Sequence, residues 1–226
     1  MGATRRELIN IRGVGIEATA FGSGLDRRNT QRRGLHRLIP LLALLCASAL
    51  TLAGATPEPR EEVAGVANFA VVSPALSRGA QPTREGFRGL RERGIRTIVS
   101  LRWGHDDDTT LARLGLKSYR LRSKQWHPET EDVVRAMKVI LTPEYQPVFV
   151  HCQAGKDRTG LVVAVYRILV DGWSVDDAIA ERKAFGASDF WEENTGYLTR
   201  LRSAEARRNL MAAIEAAPVP PVASVP

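Results

Sequence analysis

From residue 68 onward, short apolar runs and longer amphipathic stretches take turns along this chain. Runs at 69–72, 76–80, 95–101, 117–121 and 148–150 are short, rich in Val, Ile and Leu, and bounded by turn residues, so they predict strands. Between them, 83–94, 106–114 and 129–141 predict helices. The last of these carries Val133, Val134, Met137, Val139, Ile140 and Leu141. Thr83 stands where an N-cap belongs, and Gly94 where a helix stops. Residues 158–170 predict an almost wholly apolar helix with Gly172 just past its end, and Ser174 caps a helix reaching Phe185. A single long helix is predicted over 195–217. Strands alternating with helices give an α/β fold with a central, mainly parallel sheet flanked by helices.

One stretch organises the rest. The buried strand Val148 to Val150 runs into His151-Cys152-Gln153-Ala154-Gly155-Lys156-Asp157-Arg158-Thr159-Gly160, which opens the apolar helix. A tight loop between a strand and a helix N-terminus points several backbone N–H groups at one spot, where the helix dipole favours negative charge. Those groups and Arg158 lower the pKa of Cys152, and a thiolate beneath a bound phosphate is aimed at phosphorus. Arg158 takes two phosphoryl oxygens with its planar fork, and the Thr159 hydroxyl is placed to hydrogen-bond the sulfur. His151 orients the loop. Gly155 and Gly160 suit positions of positive φ or close backbone approach. The substrate-binding set is Gln153, Ala154, Gly155, Lys156, Thr159 and Gly160, and the catalytic pair is Cys152 and Arg158.

His-Cys-x-x-Gly-x-x-Arg-Thr-Gly resembles the phosphate-binding loop of the cysteine-dependent protein tyrosine and dual-specificity phosphatases. Ser77 to Thr83, with the helix and strand that follow, resembles the opening of small bacterial and fungal dual-specificity-like phosphatases, as does Trp126-His127-Pro128-Glu129. The resemblance spans about residues 68 to 190. It implies metal-independent hydrolysis of phosphomonoesters on phosphotyrosine or phosphoserine/threonine proteins, through a cysteinyl-phosphate intermediate. A phosphoinositide or inositol-polyphosphate phosphatase of the same superfamily is the alternative, because Lys156, Lys117, Arg120, Arg122, Lys124 and His127 could hold extra phosphates. A rhodanese-like sulfurtransferase and a non-catalytic phosphate-binding module are the readings from other classes. The complete Cys–Arg motif weighs against both.

The family usually supplies its general acid as an Asp about thirty residues before the Cys, but no Asp or Glu lies between Thr109 and Pro128. Asp157 is the first candidate, since some lipid-and-tyrosine phosphatases resemble this chain in placing an Asp there. Glu129 is the second, in a variant of the family's mobile Trp-Pro-Asp loop. Asp106 to Asp108 comes third, and more naturally supplies first-turn charges to a helix.

Composition adds the periphery. The chain has 226 residues and a net charge of +7, but residues 1–55 carry eight Arg against three acidic residues, so the basicity belongs mostly there and is poor evidence for nucleic acid. The uncharged run 38–53 follows Arg32, Arg33 and Arg37, and Ala53-Gly54-Ala55 offers a small-x-small cleavage site. This plan predicts an exported protein, periplasmic or secreted; left uncleaved, the run would attach the chain to a membrane. The predicted organisation is a leader at 1–55, a linker at 56–67, a phosphatase domain at 68–217 and a flexible tail at 218–226. Cleavage would remove Cys46 and leave Cys152 as the lone cysteine. The four His (His36, His105, His127, His151) lack ligand spacing, so no metal or cofactor is expected. The expected partner is a phosphorylated protein or a small phosphate ester.

Overall fold

The computed structural model describes Thr56 and residues 59–104 and 108–224. The leader, its cleavage site and Cys46, and Asp106 and Asp107 among the acid candidates, lie outside the described residues. A six-stranded sheet has the order β1 (Ala70–Ser73), β2 (Leu76–Gly79), β5 (Val148–His151), β3 (Thr97–Ser100), β4 (Lys117–Arg120), β6 (Ala223–Ser224). The four inner strands run parallel, while β1 and β6 lie antiparallel at the edges. The mainly parallel α/β sheet expected from the sequence is present.

Helices α1 (Arg84–Glu92), α2 (Asp108–Arg113), α3 (Thr130–Leu141), α4 (Asp157–Leu169), α5 (Val175–Ala184), α6 (Glu192–Arg200) and α7 (Ala204–Ala216) cover both faces. The strand alternation assigns the two sides. Val148 and Val150 join a core with residues of α3, α4, α6 and α7, whereas Phe149 and Ile98 join one with Phe87 and Leu90 of α1 and Leu111 of α2. A sheet buried on both faces needs nearly continuous apolar strands, which is why β3 and β5 carry no charge. Thr83 and Ser174 cap α1 and α5 as expected, their hydroxyls accepting from the Gly86 and Asp177 N–H groups at 3.1 and 3.0 Å.

Three expectations change. The single helix predicted over 195–217 is two, α6 and α7, because Ser203 turns its hydroxyl onto the Ala206 N–H at 3.3 Å and starts a second helix. Part of the predicted linker is packed: Val66 is buried with Phe69 and Phe87, and the Glu61 N–H donates to the Phe69 carbonyl. The predicted tail is docked: the Tyr145 hydroxyl donates to the Pro220 carbonyl, Val222 packs on the core, and β6 pairs with β4.

The topology fixes where the site belongs. The chain goes from β3 out to β4 and returns to β5 on the other side of β3. That reversal opens a crevice at the carboxyl ends of β3 and β5. Gly79, His151 and Ser100 are in register across β2, β5 and β3, so the segments after them emerge side by side there.

Candidate active site

Cys152 is the first residue beyond β5, at the base of the loop that leads into α4. Gly155 sits at the loop's turn with φ +68°, and a Cβ there would lie 2.5 Å from the Gly79 carbonyl carbon and oxygen and 2.6 Å from the Ala80 nitrogen. Only glycine fits, both in torsion and in space. Gly160 answers to close approach alone: a Cβ there would lie 2.8 Å from Cγ of Arg182, where α4 crosses α5.

The loop is held from behind through one carbonyl. The Gly155 oxygen accepts from Nη2 of Arg78 at 3.0 Å and from Nδ2 of Asn68 at 3.1 Å. Asn68, itself at φ 57°, donates to the Phe185 carbonyl as well, at 3.1 Å. With that oxygen turned backward, the loop's N–H groups are left for the front. His151 is fully buried, and its Nδ1 lies 3.2 Å from the Cys152 carbonyl oxygen, in keeping with an orienting role. The Gln81 N–H donates to the Gln153 carbonyl at 3.2 Å. Gln153, Ala154 and Lys156 are exposed on the outer side of the loop.

Burial pushes the Cys152 thiol up, but the Thr159 hydroxyl, the Thr159 N–H, the Arg158 charge and the Lys156 N–H together outweigh it, and the net shift is downward. The Thr159 hydroxyl is buried and makes no hydrogen bond to nitrogen or oxygen, so its proton is free to turn onto the sulfur. Arg158 donates through Nη1 to the Leu101 carbonyl at 2.8 Å, just past the end of β3. Its Nε is buried without a partner, which leaves the Nε–Nη2 edge as a free fork beside the loop. An anion-binding cradle with a thiol of lowered pKa and a guanidinium fork can accept and transfer a phosphoryl group.

The two leading acid candidates differ in setting. Glu129 pairs with Nζ of Lys124 at 2.8 Å, and that hydrogen bond and charge hold its carboxyl below the usual range. A carboxylate so held is a poor proton donor. Asp157, in the first turn of α4, accepts from the Ser188 N–H at 2.8 Å and from Nε2 of Gln125 at 3.3 Å, with Nη2 of Arg182 at 3.9 Å. It thus ties the phosphate loop to the segments on either side. Asp108 pairs with Arg120 at 2.8 Å.

Sequence reasoning missed the buried polar frame behind the loop. Arg78 is fully buried, with its guanidinium carbon 3.8 Å from the centre of the Phe185 ring. Arg167, inside the helix read as apolar, is buried against Glu181, with Nη2 at 2.9 Å and Nε at 3.2 Å from the same carboxylate oxygen, and also donates to the Val72 carbonyl at 3.0 Å. The sequence offered a signal only for Arg167, an Arg amid apolar residues in α4; Arg78, between Ser77 and Gly79, gave none.

The chain matches the family described as "DSP-PTPase phosphatase fused to NAD+ Kinase" over residues 64–195. It is 32% identical over 157 residues to the dual specificity protein phosphatase TpbA of Pseudomonas aeruginosa (strain UCBPP-PA14), covering 67% of this chain and 70% of that protein. A crystal structure of a TpbA variant in complex with pTyr superposes with a TM-score of 0.59 at 25% identity, over 71% of this chain and 96% of that one. An inositol diphosphatase of Oryza sativa subsp. japonica is 33% identical over 130 residues, 54% of this chain and 63% of that protein. The chain belongs to the cysteine-dependent dual-specificity phosphatase-like family and is a phosphoric monoester hydrolase.

Proposed function

We propose that this phosphatase works through a cysteinyl-phosphate on Cys152 and that its substrates are phosphorylated protein side chains, aryl esters above all. The observation that carries the mechanism is the free Nε–Nη2 edge of Arg158 beside a thiol of lowered pKa. In the first step the thiolate attacks phosphorus, the P–O bond breaks, and the leaving oxygen takes a proton. In the second, water attacks phosphorus, the P–S bond breaks, and the water's proton passes to the acid that gave one up. Asp157 is our choice for that acid; donation requires its longer contact, to Gln125, to give way. The Thr159 hydroxyl stabilises the sulfur as it leaves.

Three exposed aromatic side chains support an aryl ester. Trp103, Trp126 and Phe190 are 58%, 55% and 78% exposed. Each lies within two residues of a group that touches Arg158 or Asp157, namely Leu101, Gln125 and Ser188. By contrast, much of the basic set expected to grip extra phosphates is already engaged: Arg120 with Asp108, Lys124 with Glu129, and His127 with Glu193. The inositol-phosphate reading rests on exposed Lys156 and on the inositol diphosphatase relative.

Turnover of a phosphotyrosine peptide and of an inositol pyrophosphate, each with EDTA present, separates the two. The peptide is expected to be the better substrate, and a large preference for the inositol ester would reverse the assignment. We further propose that residues 1–55 export the protein.

A further inference from the structure

We propose that Arg78 is a positioning residue for the reaction: a buried guanidinium held behind the phosphate loop, with no carboxylate of its own, as counter-charge to the Cys152 thiolate. The inference rests on the reading of Cys152 as the nucleophile and goes beyond it, because the family motif accounts for Arg158 but not for a second cation on the opposite side of the loop.

The geometry is specific. Arg78 lies on β2, the parallel neighbour of β5, and pairs in register with Val150, two residues before Cys152. Its side chain is fully buried, and Nη2 is spent on the Gly155 carbonyl. Nε and Nη1 are buried with no partner, and Phe185 covers the guanidinium plane. No carboxylate among the described residues lies within ion-pair distance of it. Glu181, the acidic residue that acts on it most, is taken up by Arg167 at 2.9 Å.

A buried charge without a carboxylate is costly, and one carbonyl and a ring face repay only part of that cost. The Arg78 pKa falls to about 10: burial pushes it down, Glu181 and then Cys152 partly offset that, and Arg167 and Arg60 oppose them. By reciprocity, the charge that the thiolate stabilises also stabilises the thiolate. The other groups acting on the thiolate are the Arg158 charge on α4 and the N–H groups of Thr159 and Lys156, and His151 on β5 lies directly before it. The Gly155 hydrogen bond makes the arrangement double-acting, since the same guanidinium that supplies charge also turns the loop's N–H groups forward.

The test reads the thiol directly, without substrate, so that its failure and that of the phosphatase reading remain distinct. Iodoacetamide alkylation of Cys152 is followed against pH in the full chain, for the wild type, Arg78→Met and Arg78→Lys. Methionine fills the space without charge, and the alkylation midpoint is expected to rise by about one pH unit, roughly a tenfold loss of thiolate below it. Lysine keeps the charge, so its midpoint should rise clearly less than that of Arg78→Met, while turnover falls with the lost Gly155 geometry. A wild-type midpoint in Arg78→Met, or equal shifts in both variants, overturns the proposal. Should Arg78→Met not fold, Arg78→Gln is read in the same assay. Its amide can still donate to the Gly155 carbonyl but carries no charge, so its midpoint should also rise, and an unchanged midpoint refutes the role.

Discussion

Gly155→Ala is the substitution whose consequence the structure sets most firmly. The residue holds φ +68°, and the added methyl carbon would stand 2.5 Å from the backbone carbonyl of Gly79 and 2.6 Å from the Ala80 nitrogen. An L-residue in the left-handed region costs about 1–2 kcal/mol. Forcing a methyl group against backbone that cannot rotate away costs about 1–3 kcal/mol more. The sum, roughly 2–5 kcal/mol, is a large share of the ~5–15 kcal/mol that holds a domain folded. The chain has two ways to respond. It can bear the strain globally, or the loop can lift away from β2, losing the hydrogen bonds from Arg78 and Asn68 to the Gly155 oxygen. Lifting turns the N–H groups off the phosphate, so kcat on an aryl phosphate should fall at least roughly a hundredfold, on the scale of lost oxyanion donors. Urea unfolding and steady-state kinetics on the same preparation separate the two responses. A variant with kcat within a few-fold of wild type and stability within about 0.5 kcal/mol would refute the claim that this turn builds the cradle.

Arg158→Lys should lower kcat by about a hundredfold or more, because one ammonium cannot hold the Leu101 carbonyl and also present a two-point edge; near-normal kinetics would mean that Arg158 does not face the phosphoryl group. Asp157→Asn should lose far more activity on an alkyl phosphate than on an aryl phosphate with an acidic leaving group, with Glu129→Gln showing no such dependence. Equal losses on all esters in both variants would remove both residues as proton donors. N-terminal sequencing of the exported form should begin at Thr56, and an intact leader recovered in membranes would favour anchoring instead.

The local parts of this structure were legible because their causes are local. A β-branched run, a glycine forced to positive φ and an anion-friendly helix start all lie within Val148 to Thr159, and Thr83 and Ser174 cap their own helices. What escaped depends on residues far apart in sequence. Arginines are rarely buried, so nothing about Arg78 in the predicted strand 76–80 marked it as a residue of the interior. Its ring partner Phe185 comes more than a hundred residues later, beyond three more strands and five α-helices. Asp157 could be placed in the loop from its spacing, but its ties to Gln125 and Ser188 depend on how two distant segments fold over α4. The break between α6 and α7 was obscured by helix-forming residues on both sides. A serine hydroxyl capping the second helix was the one signal against continuity.

The central claim is that the phosphoryl group passes through the sulfur of Cys152. Rapid mixing with an aryl phosphate in EDTA, an acid quench within the first turnover and mass spectrometry of the peptide holding residues 148–160 tests it directly. The account predicts one phosphoryl group on Cys152, lost on further ageing, and none in Cys152→Ser, which should also be inactive. An unmodified peptide throughout turnover, or a Cys152→Ser enzyme within tenfold of wild type, would contradict it.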